Sequence, residues 1–265
     1  MNRTTTDILP PLLLERRGAI ATLRFNRPDT LNAIDVPLAR ALLTAVQTIA
    51  ADHTVRAVVL RGNGRGFMAG GDLATLRADP VQGATELLTL LNEALPLLMS
   101  MNAPVIAQVH GVAAGAGLSL MLMADYVLAA EGTKFNLAYI HLGTSCDVGA
   151  SWALPRLVGT RKALEIALLS EPFLADEALR LELINRVVPA ADLDAATDAI
   201  AERLASGPTL AYGAMKRLIR SSMNRTLQEQ LSAEAQDFVY CAGTQDFRAG
   251  LEAFYAREPA RFHGA

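Results

Sequence analysis

Cysteine is almost absent from this chain of 265 residues, which contains only Cys146 and Cys241. Two cysteines this far apart provide neither a disulfide framework nor a metal-binding spacing. The first ten residues, Met1–Pro10, also lack the apolar stretch of a secretory signal. These absences predict a cytoplasmic protein that binds no metal.

Long apolar runs are missing as well, so no membrane span is expected. The richest run, Val112–Met123, is interrupted by glycines and is followed closely by Asp125. The net charge of −3 gives no general attraction to nucleic acid. Linkers, low-complexity tracts, blocks of like charge and visible repeats are also absent. With 51% hydrophobic residues, the chain can form one large domain, or one domain with a helical appendage.

Apolar patterning divides the chain into a mixed part and a helical part. The predicted strands are Ala19–Phe25, Ala57–Arg61, Val105–Val109, Tyr126–Ala130 and Ile184–Val188. The predicted helices between them are Val36–Ala51, Thr85–Met99, Gly117–Ala124, Arg161–Leu169 and Ala175–Leu181. Only helical segments follow: Asp192–Ala205, Thr209–Ser222, Leu227–Tyr240 and Asp246–Ala256. We therefore predict an α/β core over residues 1–191 and a helical C-terminal region over residues 192–265.

Two turns of small residues are the most informative feature of the sequence. They are Gly66–Leu73 and His110–Gly117, and each lies between a β-like run and a helical segment. Small residues let a ligand approach the backbone closely, and the start of a helix has unpaired N–H groups. Two such turns can direct two N–H groups at one oxygen, which is how an oxyanion hole is built. The turns indicate that a carbonyl oxygen gaining negative charge is stabilised.

These turns, in this order, resemble those of the enoyl-CoA hydratase/isomerase family, the crotonase superfamily. Asn26–Ala33 is similar to the N-terminal signature of that family, Gly66–Leu73 to its first oxyanion loop and Gly111–Leu120 to its second. Leu154–Gly159 and Phe247–Arg257 also match. The resemblance therefore covers nearly the whole chain.

The resemblance implies a crotonase-like spiral of ββα repeats with a helical C-terminal trimerisation region. It implies an acyl-CoA thioester as substrate, no separate cofactor, and a homotrimer or a dimer of trimers. By position, the N–H groups of Gly71 and Ala116 would hold the thioester oxygen and stabilise an enolate. Coenzyme A would lie along Ala69, Asp72 and Leu73.

Both glutamates with which hydratases of the family add water are missing. Ser119 occupies the first position, and Tyr139, four residues after Phe135, occupies the second. Neither is a good base near neutral pH, because an unperturbed tyrosine titrates near 10. Hydration by the two-carboxylate route is therefore not expected. Both residues are candidates for substrate binding, with core packing as the alternative for Tyr139.

One carboxylate, Asp147, lies within a segment, Ser145–Trp152, that resembles the ring-epoxide and enoyl-CoA isomerases of phenylacetate breakdown. In that branch an aspartate at this position moves a proton. A shift of a double bond from C3 to C2 removes a proton at C2 and delivers one at C4, and a single carboxylate can do both. Burial would raise the pKa of Asp147 toward the working pH. The candidate apolar walls are Tyr139, Leu142, Val148 and Trp152.

Structural roles compete with these assignments. Asp147 can cap a helix that begins near Val148, and Asp72 is a turn or cap residue rather than a base. His141 shares a face with Tyr139 if their segment is extended, so it is a candidate second acid/base, although a structural role is favoured.

Three basic residues of one amphipathic helix, Lys216, Arg217 and Arg220, are expected to be solvated. Contact with coenzyme A phosphates is the alternative for them.

An acyl-CoA isomerase that acts through an enolate is the leading hypothesis for the function. The alternatives are a hydratase with atypical catalytic residues, a hydrolase of a thioester or C–C bond, and a protein that binds CoA thioesters without catalysis.

Overall fold

A computed structural model of the protein describes residues 9–265, with Ala78 described only in its backbone. Most of the segment inspected for a secretory signal lies outside this range. The strands are β1 (Leu12–Arg17), β2 (Ile20–Phe25), β3 (Ala57–Gly62), β4 (Val105–Val109), β5 (Val112–Ala114), β6 (Tyr126–Ala130), β7 (Lys134–Asn136), β8 (Phe173–Leu174) and β9 (Arg186–Val188). The helices are α1 (Val36–Ala51), α2 (Leu73–Ala78), α3 (Pro80–Ser100), α4 (Ala116–Leu122), α5 (Ala150–Leu169), α6 (Ala175–Arg180), α7 (Leu193–Ala205), α8 (Thr209–Ser221), α9 (Leu227–Ala242) and α10 (Gln245–Ala256).

The main sheet has the strand order β1-β2-β3-β4-β6-β9. Its first pair is antiparallel and the others are parallel. Every residue of β3 and β4 is buried, which explains why these strands are mostly apolar, since parallel strands are covered on both faces. A second, three-stranded sheet has the order β5-β7-β8. All five predicted strands are confirmed, with bounds that differ by at most two residues.

Helices cover both faces of the main sheet. Val58 and Leu60 of β3 pack in the larger core with α1 and α3, whereas Val59, one residue between them, packs in a smaller core with α7. This follows from the alternation of side chains along a strand. The sheet is therefore a buried layer within a mixed α/β fold.

Most helices agree with the sequence prediction, and α1 agrees residue for residue. Its start is fixed by Asp35, whose side chain accepts a hydrogen bond from the N–H of Leu38 (2.9 Å). The prediction missed β1, β5, β7, β8 and α2. It also missed the first half of α5, where Pro155 and Gly159 (φ +75°) interrupt the helical pattern. No strand follows residue 192 in the described part of the chain, as predicted.

The basic residues of α8 are anchored to the core, so the expectation that they are solvated is wrong for two of them. Asp125 forms 2.7 Å ion pairs with both Lys216 and Arg220. Lys216 also donates to the backbone oxygens of Met101 (3.0 Å) and Ala103 (2.9 Å). These bonds hold α8 against the loop before β4. Lys216 and Arg220 thus have structural partners.

The same side chains connect the predicted core to the predicted C-terminal region. The division of the chain at residue 191 stays a prediction. The first helix after that residue, α7, packs directly on the sheet. None of the described helices is both long and apolar enough to cross a membrane.

Candidate active site

The two glycine turns are joined by backbone hydrogen bonds. The N–H of Met68 donates to the oxygen of Val112 (3.1 Å), and the N–H of Ala114 donates to the oxygen of Met68 (2.9 Å). Glycine is required at position 117, because an added Cβ would lie 2.3 Å from the oxygen of Met68. The sequence predicted that these turns act on one oxygen, and the structure places them in contact.

Two N–H groups at this junction are free. Among the described residues, the N–H groups of Gly71 and Ala116 have no hydrogen-bond acceptor. The backbone groups on either side of Gly71 do have partners. The N–H of Ile34 donates to the oxygen of Gly70, and the N–H of Asp72 donates to the oxygen of Ile34. Ala116 is the first residue of α4, where the helix supplies no acceptor. Both free N–H groups belong to residues that line one cavity.

The first turn is held by the segment that precedes α1. The buried side-chain amide of Asn32 donates to the oxygens of Gly66 (2.9 Å) and Phe67 (3.1 Å). Nearby, the guanidinium of Arg27 forms 2.9 Å ion pairs with Asp35 and Asp72. Arg27 and Asn32 lie within the N-terminal signature, but the spacing of the sequence did not indicate their hydrogen-bond partners.

Asp72 has the structural role that the sequence favoured. Its carboxylate accepts a hydrogen bond from the N–H of Ala74 (3.0 Å) and caps α2. Burial raises the pKa of Asp72, but hydrogen bonds from Arg27 and Ala74 outweigh this effect and hold it below its ordinary value. Asp72 does not line the cavity, whereas Ala69 and Leu73 do.

The cavity has a volume of about 390 Å³, within the usual range for small-molecule sites. On one side its wall is entirely apolar, being formed by Leu73, Leu76, Ala84, Leu87, Leu88 and Leu91 of α2 and α3. Another part of the wall is the loop over residues 138–147. In the described part of the chain, Asp147 is the only carboxylate that lines this cavity.

Asp147, Tyr139 and Ser119 are connected by hydrogen bonds. The hydroxyl of Tyr139 donates to Asp147 Oδ1, and Ser119 Oγ lies 2.9 Å from the same hydroxyl. Ser119 is fully buried behind Tyr139 and does not itself line the cavity. The residues at the two positions that lack the hydratase glutamates thus contact each other, and one of them, Tyr139, contacts Asp147.

Burial sets the acidity of both ionisable groups. It raises the pKa of Asp147 above its ordinary value, against the opposing effect of the hydrogen bond from Tyr139. Burial and the adjacent carboxylate raise the pKa of Tyr139 far above its ordinary value. The tyrosine therefore keeps its proton, while Asp147 is the group able to exchange one.

Residues in the left-handed backbone region shape this loop. Ala138 (φ +59°) precedes the 3₁₀ turn Tyr139–Leu142, and its N–H donates to Asn136 Oδ1 (2.8 Å) and Ser170 Oγ (2.9 Å). After Asp147, the β-branched residue Val148 has φ +52°, which is unusual for its type. The resulting turn buries Val148 in the core and leaves Asp147 at the cavity.

Two expectations for the geometry of this loop are wrong. Asp147 does not cap a helix, because α5 begins at Ala150 and follows Gly149, which has no capping side chain. His141 does not share a strand face with Tyr139, because their segment is a 3₁₀ turn. His141 still lines the cavity, and its Nε2 lies 3.4 Å from the oxygen of Ser170.

The expected walls around Asp147 are correct in part. Tyr139 and Leu142 line the cavity. Val148 instead points into the core, and the ring of Trp152 stacks against the guanidinium of Arg156 at 4.2 Å. The described side chains form no cluster of three or more metal-binding residues.

Comparisons with known proteins agree with this geometry. Residues 15–265 match the enoyl-CoA hydratase/isomerase family. A Rhodobacter capsulatus protein named as a probable enoyl-CoA hydratase is 36% identical over 245 residues, covering 92% of this chain and 95% of the relative. The 1,2-epoxyphenylacetyl-CoA isomerase of Escherichia coli is 36% identical over 250 residues, with the same coverage. The crystal structure of an enoyl-CoA hydratase from Mycobacterium smegmatis superposes with a TM-score of 0.90 at 31% identity, covering 96% of this chain and 99% of that one.

Proposed function

The chain belongs to the enoyl-CoA hydratase/isomerase family, and within it we propose that this protein is an isomerase acting on an acyl-CoA thioester through an enolate. One observation carries the proposal: a single carboxylate, Asp147, shares its cavity with the two free N–H groups of Gly71 and Ala116. Enolate chemistry needs one base and a site for the charged oxygen. This cavity contains both.

The reaction can be written with these three groups. The thioester oxygen accepts hydrogen bonds from the N–H groups of Gly71 and Ala116, which makes the C2 protons more acidic. Asp147 takes a proton from C2, and the electrons of that bond form the enolate. The same carboxyl group then returns the proton at C4 as the double bond moves from C3 to C2. No redox cofactor or metal takes part in this scheme.

The walls of the cavity indicate where the two ends of the substrate lie. We place the acyl chain against α2 and α3, because Leu76, Ala84, Leu87, Leu88 and Leu91 offer only apolar contact. The pantetheine then follows Ala69 and Leu73 toward solvent. This placement favours an acyl group that is apolar beyond C4.

Rearrangement of a ring epoxide is a second candidate reaction. It is favoured by the similarity to the 1,2-epoxyphenylacetyl-CoA isomerase and requires the same stabilisation of a thioester enolate. Hydration is less well supported, because the usual two-carboxylate route needs a second carboxylate and Ser119 and Tyr139 replace both glutamates of the hydratase pattern.

Two assays on the purified protein test this proposal. One follows conversion of a 3-enoyl-CoA to its conjugated 2-enoyl isomer, and the other follows hydration of a 2-enoyl-CoA of the same length. We expect isomerisation to be faster by at least about 100-fold, because a missing general acid/base typically costs a factor of 10² or more. Hydration at a rate similar to that of isomerisation would contradict the proposal.

We further propose that other copies of the chain cover the C-terminal helices. Large apolar side chains are exposed there, including Phe238 and Val239 of α9 and Phe254 and Tyr255 of α10, whereas monomers rarely expose large contiguous apolar patches. We expect a mass in solution of three chains, or six for a dimer of trimers. A mass equal to the 28.3 kDa of one chain would contradict it.

A further inference from the structure

A chain of hydrogen bonds runs from Asp147 into the protein behind it. Tyr139 donates its only proton to Asp147 Oδ1, so Ser119 is the donor in the 2.9 Å contact with the tyrosine oxygen. The oxygen of Gly115 lies 3.2 Å from Ser119 Oγ, but the one proton of Ser119 cannot be donated to both oxygens. The chain therefore ends at Ser119.

We propose that Tyr139 and Ser119 are positioning residues that hold Asp147 in its ionised, proton-accepting form and leave its second oxygen for the substrate. This inference rests on the proposed isomerase function and deepens it. Neither residue exchanges a proton with the substrate in this account. Tyr139 acts through Asp147, and Ser119 acts through Tyr139.

The geometry assigns different tasks to the two carboxylate oxygens. Oδ1 accepts the bond from Tyr139, whereas Oδ2 accepts no hydrogen bond from another side chain in the described part of the chain. A fixed Oδ1 limits rotation of the carboxylate, so Oδ2 keeps one direction toward the cavity. A base that moves a proton between two carbons of one substrate needs this fixed direction.

The hydrogen bond from Tyr139 also opposes the effect of burial. Burial favours the neutral carboxyl group, and a hydrogen bond to the charged form favours ionisation. The other titratable side chains around the cavity are His141 and Cys146, on the same loop as Asp147. Among the described residues, those of α2 and α3 that line the cavity include no titratable side chain, and Ser119 of α4, which lies behind the wall, is neutral. The hydrogen bond from Tyr139 is therefore the main effect that counteracts burial, and the backbone N–H of Asp147 itself adds a smaller one.

Replacement of Tyr139 by phenylalanine tests this role through the pH dependence of catalysis. Activity requires ionised Asp147, so kcat/KM rises with pH through the pKa of that group. This rise is the acidic limb of the pH profile. We expect Tyr139→Phe to move the midpoint of the acidic limb to a higher pH by roughly one to two units, which is the effect of losing a hydrogen bond to a charged group. Well below the limb, activity falls by about 10- to 100-fold, and it recovers at higher pH.

Two further variants accompany this test: one with a smaller expected effect and one control. Ser119→Ala should move the limb in the same direction by a smaller amount, because Tyr139 keeps its bond to Asp147. Tyr126→Phe removes the hydroxyl of a partly buried tyrosine on β6, outside the cavity, and should leave the profile unchanged. An active Tyr139→Phe variant with an unmoved limb would overturn the inference, as would a loss of activity that is equal at every pH.

A titration that does not use catalysis separates this inference from the proposed function. The protein is labelled with ¹³C at aspartate carboxyl groups, and Asp147→Asn identifies the Asp147 signal by its loss. The NMR titration should show a higher pKa for Asp147 in Tyr139→Phe than in the wild type. Equal values would overturn the inference even if the wild type is an isomerase. A higher value in a protein without isomerase activity would contradict the proposed function alone.

Discussion

Asp147→Asn is expected to lower kcat for isomerisation by about 10³-fold, within the range for loss of a general acid/base. Asparagine has nearly the same size as aspartate and can still accept the hydrogen bond from Tyr139, but it cannot take a proton from C2. The cavity and the two free N–H groups are unaffected by the change. The measurement is the rate of formation of the conjugated thioester from a saturating 3-enoyl-CoA.

Two controls accompany this variant. Asp176→Asn changes an exposed aspartate of α6 and should retain wild-type activity. The affinity of Asp147→Asn for a saturated acyl-CoA, which cannot react, should stay within a few-fold of the wild-type value. An Asp147→Asn enzyme with nearly full activity would show that another group removes the proton.

Ala116→Pro is expected to lower kcat by about 10²- to 10³-fold, the usual cost of one oxyanion donor. Proline at this position removes the N–H that we assign to the thioester oxygen. Ala116 is the first residue of α4, a helix position at which proline is favoured. Its N–H has no acceptor among the described residues, so no internal hydrogen bond is lost. Comparison of kcat and thermal stability with the wild type provides the measurement.

The same substitution at another helix start provides a matched control. Gln245 is the exposed first residue of α10 and does not line the cavity, so Gln245→Pro should leave kcat unchanged. A folded Ala116→Pro variant with wild-type kcat would exclude Ala116 as an oxyanion donor.

The sequence revealed those parts of the site that depend on short, local patterns. Small residues at 66–73 and 110–117 marked the two turns, because close approach of two backbones leaves no room for side chains at positions such as Gly117. Asp147 was found as the one acid in its segment. The strands β4 and β6 were also predicted with their observed bounds, since both are short, mostly apolar runs.

The sequence could not predict contacts that depend on the backbone path of the loop over residues 138–147. The contact between Tyr139 and Asp147 depends on left-handed residues at Ala138 and Val148, and neither residue type favours that conformation. The helical pattern of residues 139–142 is too short to be distinguished from an extended segment. Likewise, the charge pattern of α8 resembles that of a solvated helix, and only the fold places Asp125 beside Lys216.

The most direct test of the account is the fate of the C2 hydrogen during isomerisation. A 3-enoyl-CoA with deuterium at C2 is converted in ordinary water, the reaction is stopped during the first turnovers, and deuterium at C4 of the product is measured by mass spectrometry and NMR. If one buried carboxylate removes and returns the proton, part of the deuterium should appear at C4. A product without deuterium at C4 would contradict the account, because the proton at C4 would then come from a second group or from solvent.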